Sequence, residues 1–481
     1  MKSNDILNAI EFVDEGFIEK SMPSVKKKSK KVIVLKTVAA VLAVVMVLNV
    51  FARIISYDPP GSVYPQYNPN SPLTLYISPM AIAVPEYPEM AKFGESDYYE
   101  SRREHYGQYE GYSDGLDGFF QKSTVQILSG KEAKNRVYSP VSLYLALGML
   151  AETSDGNSRK QILDLLGYNS IEELRTQAHA VWNLNFCDDG LSKSLLASSM
   201  WLDKDLPYNE ATLKSLADNY YSSSFSGEMG SDEYDKVLQD WLNHNTGNLL
   251  TDYTDTSKFD PETVLGLFTT VYFEAQWSSP FSEKNNTTEV FHAQQGDIEH
   301  EFMNKTYQDI YYWEENFSAA RLYFSESGSM WFFLPDENVS VDKILNNEEI
   351  FTIISEPYEY ENRKYTQINL SVPKFDVSSG TDLTGDIKAL GVTDVFDMRK
   401  ADFSILSGDN SEIYLSRANQ NSRVKIDETG CVAASYTELI LNAGSAMPED
   451  EEIDFTLDRP FIFVITGYSG MPLFVGVVET P

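Results

Sequence analysis

The period of apolar and polar positions changes several times along the chain. Residues 1–31 are polar apart from an amphipathic spacing over Ile6–Phe17, and they end in Lys26, Lys27, Lys28, Lys30 and Lys31. Residues 32–55 then run apolar, broken by Lys36, Asn49 and Arg53. About 20 apolar residues cross a bilayer as a helix, so this run predicts a transmembrane anchor behind a short tail. A cleaved leader is the alternative, but Ala81-Ile82-Ala83, which has the small-x-small pattern, lies too far downstream. Lysines before the span place the N-terminus in the cytoplasm and the rest outside. Residues 56–112 carry Pro59, Pro60, Pro65, Pro69, Pro72, Pro79, Pro85 and Pro88, and 95–112 show no apolar periodicity. Proline fixes φ and withholds a backbone donor, so an extended extracellular stalk is expected there.

From residue 113 the pattern becomes that of a folded domain, 113–481. Leu116, Phe119, Phe120 and Val125 share a helix face. Ser139-Pro140 opens a second, apolar helix, Ser142–Leu150. Amphipathic helices follow within Thr153–Leu166, over Asn209–Tyr221 and over Asp232–Asn243. Val264–Phe273, Trp331–Leu334, Ile368–Val372, Phe461–Ile465 and Leu473–Val478 read as strands, the last two apolar enough to be buried on both faces. Helices early and strands late argue an α+β domain.

Charge separates the two parts. The chain carries 72 acidic and 38 basic residues, a net charge of −34. Residues 1–56 hold nine of those basic residues and five of the acidic ones, so the excess of negative charge lies beyond the anchor. Such a field repels phosphates and argues against a nucleic-acid partner. Cys187 and Cys431 are the two cysteines, and the five histidines form no HExxH, so no metal or cofactor is implied. Gly467-Tyr468-Ser469-Gly470-Met471 lacks the last glycine of a nucleophile elbow, and no phosphate-binding glycine loop occurs. Nothing argues for an enzyme.

The informative stretch is Glu428–Arg459. In a strand, Cys431, Ala433, Ser435 and Thr437 share one face and are all small, while Val432, Ala434, Tyr436 and Glu438 share the other. A strand with one small face can slip between existing strands. Asn442–Pro448 is small and has the character of a proteolysable loop tip. An ordinary acidic surface loop, closed by Glu449-Asp450-Glu451-Glu452, remains the alternative reading of composition.

Several motifs, in order, resemble the serpin family of serine protease inhibitors. Asp427-Glu428-Thr429-Gly430 with Ala433-Ala434 is similar to the serpin hinge, and Phe455-Thr456-Leu457-Asp458-Arg459-Pro460-Phe461 to the stretch after its reactive loop. Leu473-Phe474-Val475-Gly476 resembles the final strand. Upstream, Asn135–Ser142, Val271–Trp277 with Pro280-Phe281, Val372-Pro373-Lys374-Phe375 and Leu390-Gly391-Val392 to Phe396 also resemble family motifs. The resemblance, to a bacterial membrane-anchored member, implies several β-sheets with surrounding helices and an exposed reactive-centre loop.

Roles follow by resemblance. Glu428, Gly430, Cys431, Ala433, Ala434, Ser435 and Thr437 match the hinge. Glu428 and Lys374 match a salt bridge where the loop enters the sheet, and Trp277 the tryptophan beneath it. Ser139 and Ser142 match a polar cluster under the sheet, where Thr269 replaces a usual Asn and Gln420 a usual His. Cys431 and Val432 also depart, from Thr or Ser and from Glu. The implied mechanism is suicide inhibition: a protease cuts the loop, and Cys431–Asn442 inserts as a new strand. The family's spacing from Glu428 puts the cut between Gly444 and Ser445. The loop is a few residues longer than usual, so the window is Ala443, Gly444, Ser445, Ala446 and Met447. Small residues there suit a serine protease with a shallow primary pocket, elastase-like or subtilisin-like. We expect a monomer on a single-pass anchor, its inhibitor domain extracellular; a non-inhibitory serpin-like surface binding or scaffold protein is the alternative.

Overall fold

Two large sheets carry the fold. The computed structural model describes residues 76–481, apart from 77, 113, 131–133, 255–256, 409–412, 416–417 and 432–451. The chain divides into Met1–Gln66 and a compact unit, Tyr67–Pro481. The tail at 1–31 and the apolar run at 32–55 lie outside the described residues. Among the described residues no helix is long and apolar enough to cross a membrane.

In chain order the strands begin with β1 (Ala81–Ala83), β2 (Arg136–Tyr138), β3 (Cys187–Asp188), β4 (Lys193–Asp203), β5 (Ser222–Gly227) and β6 (Leu265–Gln276). Next come β7 (Thr287–Ala293), β8 (Gly296–Trp313), β9 (Phe317–Tyr323), β10 (Ser329–Pro335), β11 (Arg363–Pro373) and β12 (Phe375–Asp382). The last are β13 (Asn419–Ile426), β14 (Gly430–Cys431), β15 (Glu452–Thr456), β16 (Phe461–Thr466) and β17 (Pro472–Val478). One sheet runs β1-β5-β4-β6-β14-β13-β12, with β3 paired to β4. The other runs β15-β11-β8-β9-β10-β16-β17-β2, with β7 paired to β8. The main helices are α1 (Tyr98–Gly107), α2 (Asp117–Leu128), α3 (Pro140–Thr153), α4 (Gly156–Leu166), α5 (Ile171–Asn185), α6 (Glu210–Tyr220) and α7 (Asp232–Asn245). The architecture is α+β, with β16 and β17 buried along their whole length.

Helix α3 is apolar around its circumference because it sits inside the core between the sheets. Its start is encoded locally. Ser139 Oγ accepts from Ser142 N at 3.2 Å, and Pro140 occupies the first turn, where its missing N–H costs nothing.

The stalk expected over 56–112 is corrected for its described part, which belongs to the folded unit. Ala81 pairs with Phe225 and Ala83 with Ser224, so β1 extends one sheet beyond β5. Pro79 and Pro85 flank this edge strand rather than interrupt it, which an edge tolerates. Helix α1 buries Tyr98, Arg102 and Tyr106, spaced four apart. Arg102 Nη1 lies 2.8 Å from Asp189 Oδ2, the Tyr98 hydroxyl donates to the same oxygen at 2.6 Å, and Tyr106 stacks on Tyr468 at 4.3 Å. The guanidinium also lies over the Tyr468 ring and donates to the Glu326 carbonyl. Asp189 is fully buried, so removing its partner leaves an uncompensated charge. Arg102→Ala is expected to lower the unfolding free energy by about 3–5 kcal/mol, measured by denaturant titration. A loss below about 1 kcal/mol, the worth of an exposed pair, would show that Asp189 finds another partner or water.

Candidate functional site

The site is the seam between β6 and β13, where the chain doubles back. It leaves β13 at Ile426, turns through 427–429, and returns as β14 between the two strands. Cys431 pairs with Ile426 on one side and Ala275 on the other, and Gly430 pairs with Gln276. Asp427 closes the turn: its Oδ1 accepts from Thr429 N at 2.8 Å and from Thr429 Oγ1 at 2.6 Å. Gly430 is required here, because an added Cβ would lie 2.2 Å from the Ala275 carbonyl oxygen. Cys431 is buried, and burial pushes its thiol well above the usual range, so it packs as a small apolar group.

Two small cavities lie along the seam between β6 and β13. One of about 10 Å³ is bounded by Val271, Phe273, Ser422, Val424 and Cys431. The other, about 40 Å³, is bounded by Leu267, Thr269, Asn419 and Gln420, with Leu143 and Leu147 of α3. Ala433, Ala434, Ser435 and Thr437 lie outside the described residues, as does the window Ala443, Gly444, Ser445, Ala446 and Met447. The described chain resumes at β15, which pairs in parallel with β11 in the other sheet. The two ends of this stretch are therefore fixed in different sheets.

Three of the singled-out residues, Glu428, Lys374 and Trp277, hold the turn where the seam opens. Lys374 Nζ lies 2.6 Å from Glu428 Oε1 and 3.1 Å from Glu301 Oε2. Asn286 Nδ2 donates to Glu428 Oε1 at 2.5 Å. Burial opposes ionisation of Glu428, but the bonds from Lys374 and Asn286 outweigh it and hold the carboxyl below the usual carboxylate range. Burial likewise opposes charge on Lys374, and its two carboxylate partners raise it above the ordinary lysine value. Lys374 remains about a third exposed, so solvent screening reduces the worth of the pair to about 1 kcal/mol. Trp277 donates from Nε1 to the Asp427 carbonyl and from its backbone N to the Thr429 carbonyl, each at 2.9 Å. Its ring stacks on Phe324 at 4.7 Å. Phe281 N donates to the Glu428 carbonyl at 2.9 Å.

The remaining four form one polar cluster under the sheet. Ser139 N donates to Gln420 Oε1 at 2.8 Å, and Gln420 Nε2 returns a bond to the Ser139 carbonyl at 3.1 Å. Ser142 Oγ bonds Thr269 Oγ1 at 2.7 Å. The start of α3 thus ties to β13 through Gln420 and to β6 through Thr269. Both non-standard residues make bonds, because an amide and a hydroxyl each donate and accept. Sequence reasoning missed Asn286, Glu301 and Phe324. The Asp427-x-x-Gly430 turn signature was available, but no local signal marks the other three.

Comparison with known proteins bears on this geometry. Residues 118–481 match the family model described as Serpin (serine protease inhibitor). The chain is 25% identical to Serpin-ZX of Arabidopsis thaliana over 376 residues, covering 74% of this chain and 94% of that protein. It is 28% identical to human leukocyte elastase inhibitor over 363 residues, covering 73% and 94%. Among solved structures, the thermophilic serpin tengpin in its native state superposes with a TM-score of 0.68 at 25% identity, covering 83% of this chain and 98% of that one.

Proposed function

The chain belongs to the serpin family, protease inhibitors and not enzymes, and we propose that it traps an extracellular serine protease by loop cleavage and strand insertion. The observation that carries this reading is β14: two residues of the hinge already stand between β6 and β13, with small cavities ahead of them. The protease serine adds to the carbonyl carbon of Gly444, the Ser445 amine leaves, and an acyl-enzyme remains. The freed segment then continues β14 down the seam.

The register of β14 says where each residue would go. Cys431 pairs with Ala275 and Ile426, so steps of two bring Ala433 between Phe273 and Val424 and Ser435 between Val271 and Ser422. Thr437 arrives between Thr269 and Gln420, above the polar cluster. Twelve residues at about 3.3 Å each carry the tethered protease roughly 40 Å, which distorts its active site before water can release it. The small residues in Ala443–Met447 fit an elastase-like or subtilisin-like partner. Mixing the protein with elastase or subtilisin should yield an SDS-stable complex. Clean cleavage with no complex would favour a non-inhibitory binding or scaffold role instead.

The same reading keeps residues 32–55 as a single-pass anchor for an extracellular, monomeric domain, supported by the basic cluster before the apolar run. Protease added outside intact cells should then remove the inhibitor domain; full protection of the domain would reverse the orientation.

A further inference from the structure

The phenol of Tyr358 takes no part in inhibition. Tyr358 follows the short helix Glu349–Ser355 and is 59% exposed. Its oxygen nevertheless accepts from two donors on β9. Arg321 Nη2 reaches it at 3.1 Å, and the Tyr323 hydroxyl, two residues along the same strand, also donates to it. Arg321 is buried among aromatic rings. Its Cζ lies 4.7 Å from the ring centroid of Tyr323, 5.0 Å from that of Trp331 and 5.1 Å from that of Tyr358. Trp331 reaches this place because β10 pairs it with Arg321. Rings packed around the guanidinium fix its position, so little further side-chain entropy is lost in the bond to Tyr358.

Asp309 of β8 also faces Arg321, with Oδ2 3.5 Å from Nε, but among the described residues neither atom has a hydrogen-bond partner. Burial holds the Asp309 carboxyl above the usual carboxylate range, against the attraction of Arg321, so it neutralises the guanidinium incompletely. The two hydrogen-bonded phenols then part company. Burial and its bond to Tyr358 keep the proton on Tyr323. Tyr358 is drawn below the ordinary phenol value by the Tyr323 bond and by Arg321, against burial and the more distant Asp309. The anionic oxygen is the nucleophilic form of a tyrosine. Tyr365 of β11 is nearly as exposed, at 53%, but its hydroxyl makes no bond among the described residues.

We propose that the Tyr358 oxygen is an acyl-acceptor site for small activated esters, with Arg321 and Tyr323 as positioning residues that support its anionic form. The oxygen lone pair bonds to the ester carbonyl carbon, and the bond from that carbon to the leaving oxygen breaks. The phenol proton passes through water to the departing group, and an aryl ester remains; nothing is oxidised or reduced. The full chain is incubated at pH 7 with p-nitrophenyl acetate, and acetyl groups are mapped by mass spectrometry. Mapping is repeated after hydroxylamine, which strips acetyl from a phenol but not from a lysine. Tyr358 should be acetylated about tenfold faster than Tyr365, the difference that one charge-assisted bond makes. Tyr358→Phe should remove the fast hydroxylamine-sensitive adduct and spare the one at Tyr365. Tyr323→Phe keeps a ring beside Arg321 but removes one donor, so it should slow acetylation of Tyr358 several-fold and move its pH profile to higher pH. Labelling of Tyr358 no faster than of Tyr365 would overturn the acceptor site. An unchanged rate and pH profile in Tyr323→Phe would overturn the part given to the donors.

Discussion

Cutting the loop within Ala443–Met447 is expected to raise the melting temperature of the inhibitor domain by about 10 °C. A residue added in the middle of a sheet uses both its N–H and its C=O, together worth about 2 kcal/mol, against about 1–2 kcal/mol for ordering its backbone. The surplus comes from burial: Ala433, Ser435 and Thr437 would cover the seam, fill its two cavities and complete the contacts of Val271, Phe273 and Val424. Before the cut this gain is blocked, because β14 lies in one sheet and β15 in the other, and the chain between them must bridge both. For a unit of this size a surplus of about 10 kcal/mol moves the midpoint by about 10 °C. The measurement is a calorimetric scan of intact and elastase-cut protein. Equal midpoints would mean that the freed segment stays out of the sheet.

Ala433→Arg is expected to turn the inhibitor into a substrate. The register carried forward from Cys431 puts residue 433 between Phe273 and Val424, both buried. An arginine there has no carboxylate partner on either neighbouring side chain, and burying an unpaired charge costs several kcal/mol. Its extra volume would also strain a packed interior. Each 1.4 kcal/mol added to the insertion barrier slows insertion about tenfold, while attack at the loop tip proceeds unchanged. Deacylation then wins, and the ratio of covalent complex to released cleaved product should fall more than about a hundredfold. The partition is read on denaturing gels with an elastase-like protease, alongside a melting curve showing that the uncut variant folds normally. An undiminished yield of complex would remove strand insertion from the mechanism.

Elements whose signal is local were legible from the chain. Ser139-Pro140 announces α3 because a capping hydroxyl and a first-turn proline act within one helical turn. The apolar runs that become β10, β16 and β17 are legible because a strand buried on both faces needs no alternation, and those within β6 and β11 because branched and aromatic residues favour strands. β4 and β5 escaped for the converse reason: Lys193–Asp203 and Ser222–Gly227 are rich in serine yet buried, their backbones satisfied by neighbouring strands far away in sequence. The hinge and its partners Lys374, Trp277, Ser139, Ser142, Thr269 and Gln420 could be named from family resemblance, but not their bonds.

By itself, then, the sequence determined the α+β class, the small face after Gly430 and the acidic character of the domain, since each depends on neighbours in the chain or on composition, and it pointed to the family through ordered motifs that resemble it. Only the tertiary structure decided that the proline-rich segment before residue 113 supplies an edge strand and a docked helix. Arg102 meets Asp189 across the fold, and no spacing along the chain encodes such a pair. The same holds for Asn286 and Glu301 around Glu428 and Lys374, and for Gln420 in place of a histidine. A long-range hydrogen bond or ion pair is set by where packed elements bring two side chains, so it exists only once the elements have packed.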